Sequence, residues 1–253
     1  ATGRQVAPFA VPALESLDDV YAAQDRVIRE LGAGRRVQAW KVIPPQGGVD
    51  PRAAPVFPGR ILDSPAILSA SGLHMLGVEA EIGYRFAREV SPAASDEEIA
   101  GAVQEALVTI ELCDSRLQDW KTATPLWRLA DLQSNAALVL GSGLREWRAL
   151  HLSAQRAELW VDGAIRAAAT ASHPCGDPFG SVPWLVRHLA ARGARLRPGD
   201  VVTTGSWTGM IFVDAGTEVL AGITLLAISL PLNIGYAQIA GLPPIGREKL
   251  QLR

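Results

Sequence analysis

Two carboxylates two positions apart, Glu79 and Glu81, stand in the run Leu76-Gly77-Val78-Glu79-Ala80-Glu81-Ile82-Gly83-Tyr84, and a third, Glu111, stands in Leu107-Val108-Thr109-Ile110-Glu111-Leu112-Cys113. Both runs read as strands. Residues i and i+2 of a strand point to one side, so Glu79 and Glu81 share a face while Val78, Ala80 and Ile82 share the other. Carboxylates set among apolar neighbours are costly unless something compensates. Two like charges about 4 Å apart repel by about 4 kcal/mol at an effective dielectric near 20. Either one carboxyl keeps its proton or a cation sits between them. Three carboxylates are hard oxygen ligands suited to Mg²⁺ or Mn²⁺, with waters completing an octahedron. The plain alternative is a solvated strand face with ordinary surface glutamates.

The elements that must position these residues run from helices in front to strands behind. Residues 1–12 carry prolines and small residues and read as an irregular arm. Ser16 to Leu31 reads as a helix, with Ser16 as N-cap, Asp18 and Asp19 in its first turn, Gly32 as its stop, and Val20, Ala23 and Val27 at helical spacing. Val37 to Ile43 is a short strand that carries Lys41, and Pro44 to Pro58 is rich enough in Pro and Gly to be a loop. Ser95 and Glu98 form a capping box that predicts a second helix from Ser95 to about Leu107. Glu158 to Ala168 is a hairpin turning at Asp162-Gly163, and Pro183 to Arg192 is a third helix stopped by Gly193. Val201–Gly205, Ile211–Val213 and Glu218–Leu230 are strand-like, with turns at Pro198-Gly199-Asp200 and Asp214-Ala215-Gly216. Strands and helices do not alternate, so the pattern predicts an α+β chain with a mixed β-rich core and a few flanking helices, not a doubly wound parallel sheet.

Whole-chain numbers narrow the functional classes. The 253 residues suit one large domain or a core with a smaller appendage. A net charge of −2 and a pI near 6.1 leave no footprint for nucleic acid. The longest apolar stretch, Val219 to Leu232, is short for a membrane helix and contains Gly222 and Thr224, so no membrane association is expected. Cys113 and Cys175 are the only cysteines and make no disulfide framework, which with the absence of a visible signal peptide suits the cytoplasm. Four histidines without ligand spacing argue against a zinc site.

Several segments stand in a telling order: Gln38-Ala39-Trp40-Lys41-Val42, Val78-Glu79-Ala80-Glu81-Ile82, and Ile110-Glu111-Leu112-Cys113-Asp114-Ser115-Arg116 with Asp119-Trp120. Leu129-Ala130-Asp131 with Ser134-Asn135, Gly176-Asp177-Pro178, Trp184-Leu185 and Gly199-Asp200-Val201-Val202-Thr203-Thr204-Gly205 complete the series. In order and spacing they resemble the 2-hydroxypenta-2,4-dienoate (2-oxopent-4-enoate) hydratase and 2-oxo-3-hexenedioate decarboxylase group of the fumarylacetoacetate hydrolase superfamily. The resemblance spans roughly residues 17–230 and implies a rolled mixed β-sheet core with a smaller N-terminal helical portion. It divides the chain into an N-terminal arm, helix and lysine strand (1–70), a metal-binding β-rich catalytic core (71–235) and a C-terminal tail (236–253). It implies Mg²⁺ or Mn²⁺ held by Glu79, Glu81 and Glu111, a small-molecule 2-oxo acid as substrate, and a homo-oligomer.

The chemistry implied is addition of water to a 2-hydroxydienoate, or vinylogous decarboxylation, through an enolate. A metal chelated by the carboxylate and keto oxygens of a 2-oxo acid acts as a Lewis acid. Lys41 is the leading proton-transfer group, because a lysine in a cleft shifts its pKa readily; its plain alternative is a surface lysine on an edge strand. Asp131 is expected to orient Lys41 or a water, and Ser134 to bond the substrate carboxylate, unless both only satisfy a bend before a strand. Gly205-Ser206-Trp207-Thr208-Gly209 is expected to line the pocket, with Ser206 near substrate, or to be a plain turn. Arg116 is expected to pair with Asp114 or Asp119, Cys113 to pack in the core, and Trp120 and Trp127 to wall an apolar pocket.

Departures from the family pattern bear on which reaction is catalysed. Ile43-Pro44-Pro45 stands where Gly and a hydroxyl residue usually follow the lysine strand, Val56 where related hydratases carry an acid, and Leu132 where they carry Asn. These replacements favour the shared enolate step over water addition and leave a tautomerase or isomerase as the alternative. C–C bond hydrolysis fits less well, because that branch has a His–Glu pair in an N-terminal lid and the first histidine here is His74. A catalytically silent partner subunit is the non-enzyme alternative, against which the intact glutamates stand.

Overall fold

The structure, a computed structural model, describes residues 5–7, 13–32, 34–45, 47–149, 151, 154–224 and 248–252. Along the chain lie α1 (Leu17–Leu31), β1 (Ala39–Ile43), β2 (Arg52–Pro55), β3 (Ile61–Asp63), β4 (Ala66–Leu68), β5 (Gly77–Phe86), α2 (Asp96–Ala100) and β6 (Val103–Cys113). There follow α3 (Pro125–Ala130), β7 (Asn135–Leu144), β8 (Arg156–Val161), β9 (Ala164–Thr170), α4 (Val182–Ala191), β10 (Val201–Ser206), β11 (Ile211–Phe212), β12 (Glu218–Thr224) and β13 (Glu248–Leu252). An eight-stranded sheet runs β2-β1-β10-β5-β6-β7-β3, with β11 added against β5, and a five-stranded sheet runs β4-β13-β12-β8-β9. β1–β10, β3–β7 and β4–β13 are parallel and the other pairs antiparallel, which makes the core the mixed sheet of an α+β fold.

Local sequence accounts for most boundaries. Ser16 caps α1, its side chain accepting from Asp19 N while the Asp19 carboxylate accepts from Ser16 N. Buried Gln24 ties α1 to the chain behind it, donating to Leu129 O at 2.8 Å and Ala53 O at 3.3 Å. The β8–β9 hairpin turns at Asp162 and Gly163, both with positive φ (50° and 79°), as a tight two-residue turn requires. Two expectations are corrected. The capping box at Ser95 and Glu98 is present, but α2 ends after five residues and Val103 begins β6. Its β-branched residues pair along β5 and β7, and that long-range pairing overrides the helical start. The Pro/Gly-rich segment 44–58 contains β2, which pairs with β1 at the sheet edge, where Pro55 leaves no ladder donor missing. The expected strand Glu218–Leu230 is present to Thr224; residues 225–230 lie outside the described residues, and of the expected tail 236–253 only β13 (Glu248–Leu252) is described, paired with β12 and β4.

The period of two sorts the central sheet into two functional faces. Val78, Ala80, Ile82, Tyr84 and Phe86 of β5 and Val108, Ile110 and Leu112 of β6 belong to the main core. They pack with Leu159 of β8, Val219 and Ala221 of β12, and Leu185 and Leu189 of α4. The opposite face holds a smaller apolar cluster of Ala39, Val56, Leu107, Leu138, Leu140 and Val201. Thr109 and Thr203, 3.2 Å apart at their hydroxyls, belong to this same face, and so do all three glutamates.

Candidate functional site

Register brings the glutamates together. Glu79 of β5 is directly opposite Glu111 of β6, and Glu81 is opposite Thr109 on one side and Ser206 of β10 on the other. Lys41 on β1 reaches the same face through its parallel pairing with Thr203. Its ammonium pairs with Glu111 Oε2 and lies 3.7 Å from Glu79 Oε2. Glu81 and Glu111 are fully buried, Lys41 is 6 % exposed and Glu79 9 % exposed, so the opening of the cluster is on the Glu79–Lys41 side. Neither the solvated-face nor the surface-lysine alternative survives this burial.

Each carboxylate is held in place by a specific partner. Asn135, the residue opposite Cys113 on β7, donates from Nδ2 to Glu111 Oε1 at 2.9 Å. Glu81 Oε2 accepts from the Thr203 hydroxyl and from Gly205 N at 3.1 Å. The amide reaches Glu81 because the β5–β10 register shifts between Thr203 and Ser206, where Gly205 has φ 106°. His173 supports this bulge. Its Nε2 is 2.8 Å from Thr204 O and must carry the proton, since a carbonyl only accepts. Nδ1 is then free to accept from Cys175 Sγ at 3.3 Å.

Electrostatics reflect crowding of like charge in a low-dielectric site. Burial, with Glu111 next, pushes Glu81 up to about 8. Burial also raises Glu79, Lys41 opposes that rise and Glu111 adds to it. Burial alone would push Lys41 down, but Glu111, then Glu79 and Glu81, hold it well above the ordinary lysine range. Three buried carboxylates face one ammonium among the described residues, so negative charge is in excess unless protons or a further cation offset it. Glu81 Oε1, Asn135 Oδ1 and Ser206 Oγ are buried with no hydrogen-bond partner among the described residues. Oxygen donors in excess of positive charge, together with orphaned oxygens, fit a divalent cation and a hydrogen-bonding ligand beside it.

The remaining expected site residues divide. Ser206 stands across from Glu81, its hydroxyl without a partner among the described residues. Ser134 is buried at the end of Leu132-Gln133-Ser134, three consecutive residues with φ between 52° and 61° that turn the chain into β7. Asp131 stands apart from Lys41. Its Oδ2 accepts from Ser115 Oγ at 2.8 Å and Arg116 N at 3.1 Å, and its Oδ1 from Arg116 Nε at 2.7 Å. Arg116 therefore pairs with Asp131 rather than with Asp114 or Asp119, while the Asp114 carboxylate accepts from His74 N and Met75 N, both at 2.8 Å. Trp120 lies 6.3 Å from Phe212, centroid to centroid. Sequence reasoning missed the contributions of Asn135, Thr203 and Cys113. Cys113 is fully buried, as expected of a core residue, and its Sγ is also 3.7 Å from Glu79 Oε2. The signal was present: Cys113 is two residues from Glu111, the same spacing that groups Glu79 with Glu81.

Fold and site together define a class, α+β chains with a buried acidic centre on the inner face of a curled mixed sheet. The chain belongs to the fumarylacetoacetate hydrolase family: residues 19–233 match the family described as fumarylacetoacetate (FAA) hydrolase C-terminal. It is 30% identical over 226 residues to the 2-keto-4-pentenoate hydratase of Paraburkholderia xenovorans (strain LB400), covering 85% of this chain and 83% of that one. Its fold matches 4-oxalocrotonate decarboxylase from Pseudomonas putida G7, complexed with magnesium and adipate, with a TM-score of 0.79 at 17% identity over 99% of this chain and 91% of that one. It also matches fumarylpyruvate hydrolase from Pseudomonas aeruginosa, in complex with Mn²⁺ and pyruvate, with a TM-score of 0.55 at 17% identity over 85% and 88% of the two chains.

Proposed function

We propose that this protein is a divalent-metal-dependent lyase acting on a 2-oxo acid, by hydration of a 2-hydroxydienoate or by vinylogous decarboxylation. The observation that carries the reading is the register pair Glu79–Glu111, with Glu81 on the same buried face and the Lys41 ammonium beside both. Glu79, Glu81 and Glu111 are the residues that would hold Mg²⁺ or Mn²⁺, which when bound supplies Lewis-acid polarisation of the substrate's 2-oxo group. The remaining work belongs to the chain. Lys41, protonated at rest, holds the proton that moves on and off C3 of the substrate. Ser206 and Ser134 offer hydroxyls to the substrate carboxylate. Asp131 fixes Arg116, whose Nη1 donates to Asn135 O at 2.7 Å, and thereby sets the turn that presents Ser134 and Asn135. The apolar cluster under the site keeps water from its inner end.

The direct test is turnover of 2-oxopent-4-enoate by the purified protein with Mg²⁺ or Mn²⁺, followed by NMR. No reaction with this or a panel of related 2-oxo acids would refute the reading. One observation favours tautomerisation as a second reading: Val56 is fully buried among Ala39, Leu107, Leu138, Leu140 and Val201, so no side chain there can position a water. In D₂O, deuterium at C3 ahead of any 4-hydroxy product supports the second reading, and product forming as fast as exchange supports the first. No helix among the described residues is long and apolar enough to cross a membrane. Our reading includes a cytoplasmic homo-oligomer, which size-exclusion chromatography with light scattering tests, and the division at residues 70 and 235.

A further inference from the structure

Cys113 projects into the acidic centre. It follows Glu111 by two residues on β6, so both side chains leave the sheet on one face. Its partner on β5 is Gly77, which offers no side chain, and the Met210 thioether fills the space a Cβ at Gly77 would take. One ligand atom each from Glu79, Glu111 and Cys113 all lie within 4.8 Å of one another, and Cys113 Sγ is 3.7 Å from Glu79 Oε2. Around a single ion, metal–oxygen bonds of about 2.1 Å and metal–sulfur bonds of about 2.3 Å set donor atoms roughly 3.5 Å apart in a tetrahedron and up to about 4.4 Å apart across an octahedron. Small side-chain rotations close the remaining difference. A second observation points to a ligand at the same place. Asn135, cross-strand partner of Cys113 and 2 % exposed, donates to Glu111 from Nδ2 while its Oδ1 has no partner among the described residues. That amide oxygen is a fourth donor beside the three.

We propose that Cys113 is a sulfur ligand of this centre, which makes it a mixed carboxylate–thiolate site that takes thiophilic divalent cations of the zinc, cobalt and cadmium class as well as Mg²⁺ or Mn²⁺. The inference rests on the reading that Glu79 and Glu111 bind a cation. As the metal–sulfur bond forms, the S–H proton leaves to solvent, one per cation, and no electrons are exchanged. A bound cation is itself what deprotonates a coordinating thiol. Thiolate donors select softer metals, which all-oxygen sets do not.

The experiment is Cd²⁺ titration of the full chain carrying Cys175→Ser, which leaves Cys113 as the sole thiol, read by ultraviolet thiolate-to-metal charge-transfer absorption and by calorimetry. A band that saturates at one Cd²⁺ per chain, and is lost in Cys113→Val and restored in Cys113 protein, is expected. Mg²⁺ binding, measured by calorimetry, is expected to persist in Cys113→Val; Cys113→Ser provides a second variant should the valine chain fail to fold by circular dichroism. Stoichiometric Cd²⁺ binding without the band overturns the sulfur ligand and leaves the carboxylate centre standing. Failure of the folded Cys175→Ser chain to bind Mg²⁺, Mn²⁺ or Cd²⁺ overturns the underlying cation reading as well.

Discussion

Lys41 shows how much one residue's surroundings decide. As a residue type it is a flexible surface cation, but here it is buried and paired with two glutamates from two other strands. Replacing it with Met keeps the apolar stem and removes the proposed proton carrier, so turnover is expected to fall by on the order of 10²–10⁴-fold. Mg²⁺ should bind Lys41→Met more tightly than wild type, because the ammonium no longer competes for Glu111 and Glu79. Unchanged turnover, measured under saturating Mg²⁺, would remove Lys41 from the chemistry. Asp131 illustrates the converse. Its carboxylate was a candidate orienter of Lys41, but both oxygens are taken by Ser115 and Arg116, and nothing in the local sequence distinguished these partners from Lys41.

At the scale of elements, β10 matters most, because its bulge aims a backbone N–H at Glu81. Gly205 has φ 106°, and a Cβ there would meet Pro44 Cδ at 3.2 Å and Cγ at 3.3 Å. Gly205→Ala is therefore expected to cost about 1–3 kcal/mol of stability, read from urea midpoints, and to weaken Mg²⁺ binding in calorimetry; an unchanged midpoint would contradict the strain argument. His173 holds the same bulge through Thr204 O. Burial lowers its pKa below the usual 6.5, with Thr204 and Asp177 opposing. Between the lowered folded value and 6.5 the unfolded chain binds the extra proton, so the stability of the fold falls as pH drops through that window. His173→Gln should lose less stability than wild type between pH 7.5 and pH 5, and equal losses would show that His173 is not the titrating group. The half-buried His188, whose pKa is likewise lowered by burial and by Arg192, remains in both proteins and cancels in this comparison.

At the scale of the whole molecule, the acidic centre crowds like charge that a bound cation would relieve. A cation that binds only the folded state stabilises it by about 2.7 kcal/mol at a hundredfold excess over Kd. Thermal melts with and without Mg²⁺ should therefore separate clearly for wild type. Glu81→Gln puts a neutral side chain where burial and Glu111 already force the carboxyl toward its protonated form, while keeping an acceptor for Thr203 and Gly205. Its metal-free melting temperature should rise above that of wild type, and its Mg²⁺-dependent gain should shrink or vanish. A metal-free wild type that melts above the Gln variant would mean that Glu81 is not under like-charge stress. The same layout places Val56 and Leu138 in the apolar layer on the inner face, which ties the choice between hydration and tautomerisation to how the sheet is filled rather than to the metal ligands.

By itself the sequence determined whatever depends on near neighbours along the chain. The period of two put Glu79 and Glu81 on one face, Ser16 and Asp19 capped α1, Asp162-Gly163 turned a hairpin, and the ordered segments from Lys41 to Gly205 matched a family. Only the tertiary structure decided what depends on strand register and sheet order. β1 lies parallel to β10 in the sheet although some 160 residues separate them, and that pairing alone carries Lys41 to the glutamates. Register across β5, β6 and β7 set Glu79 against Glu111 and brought Asn135 to the centre. It also made Cys113, a buried core residue as expected, a neighbour of two carboxylates. The capping box at Ser95 promised a longer helix than α2 because a cap governs only a helix's first turn, while the pairing that ends α2 comes from strands distant in sequence.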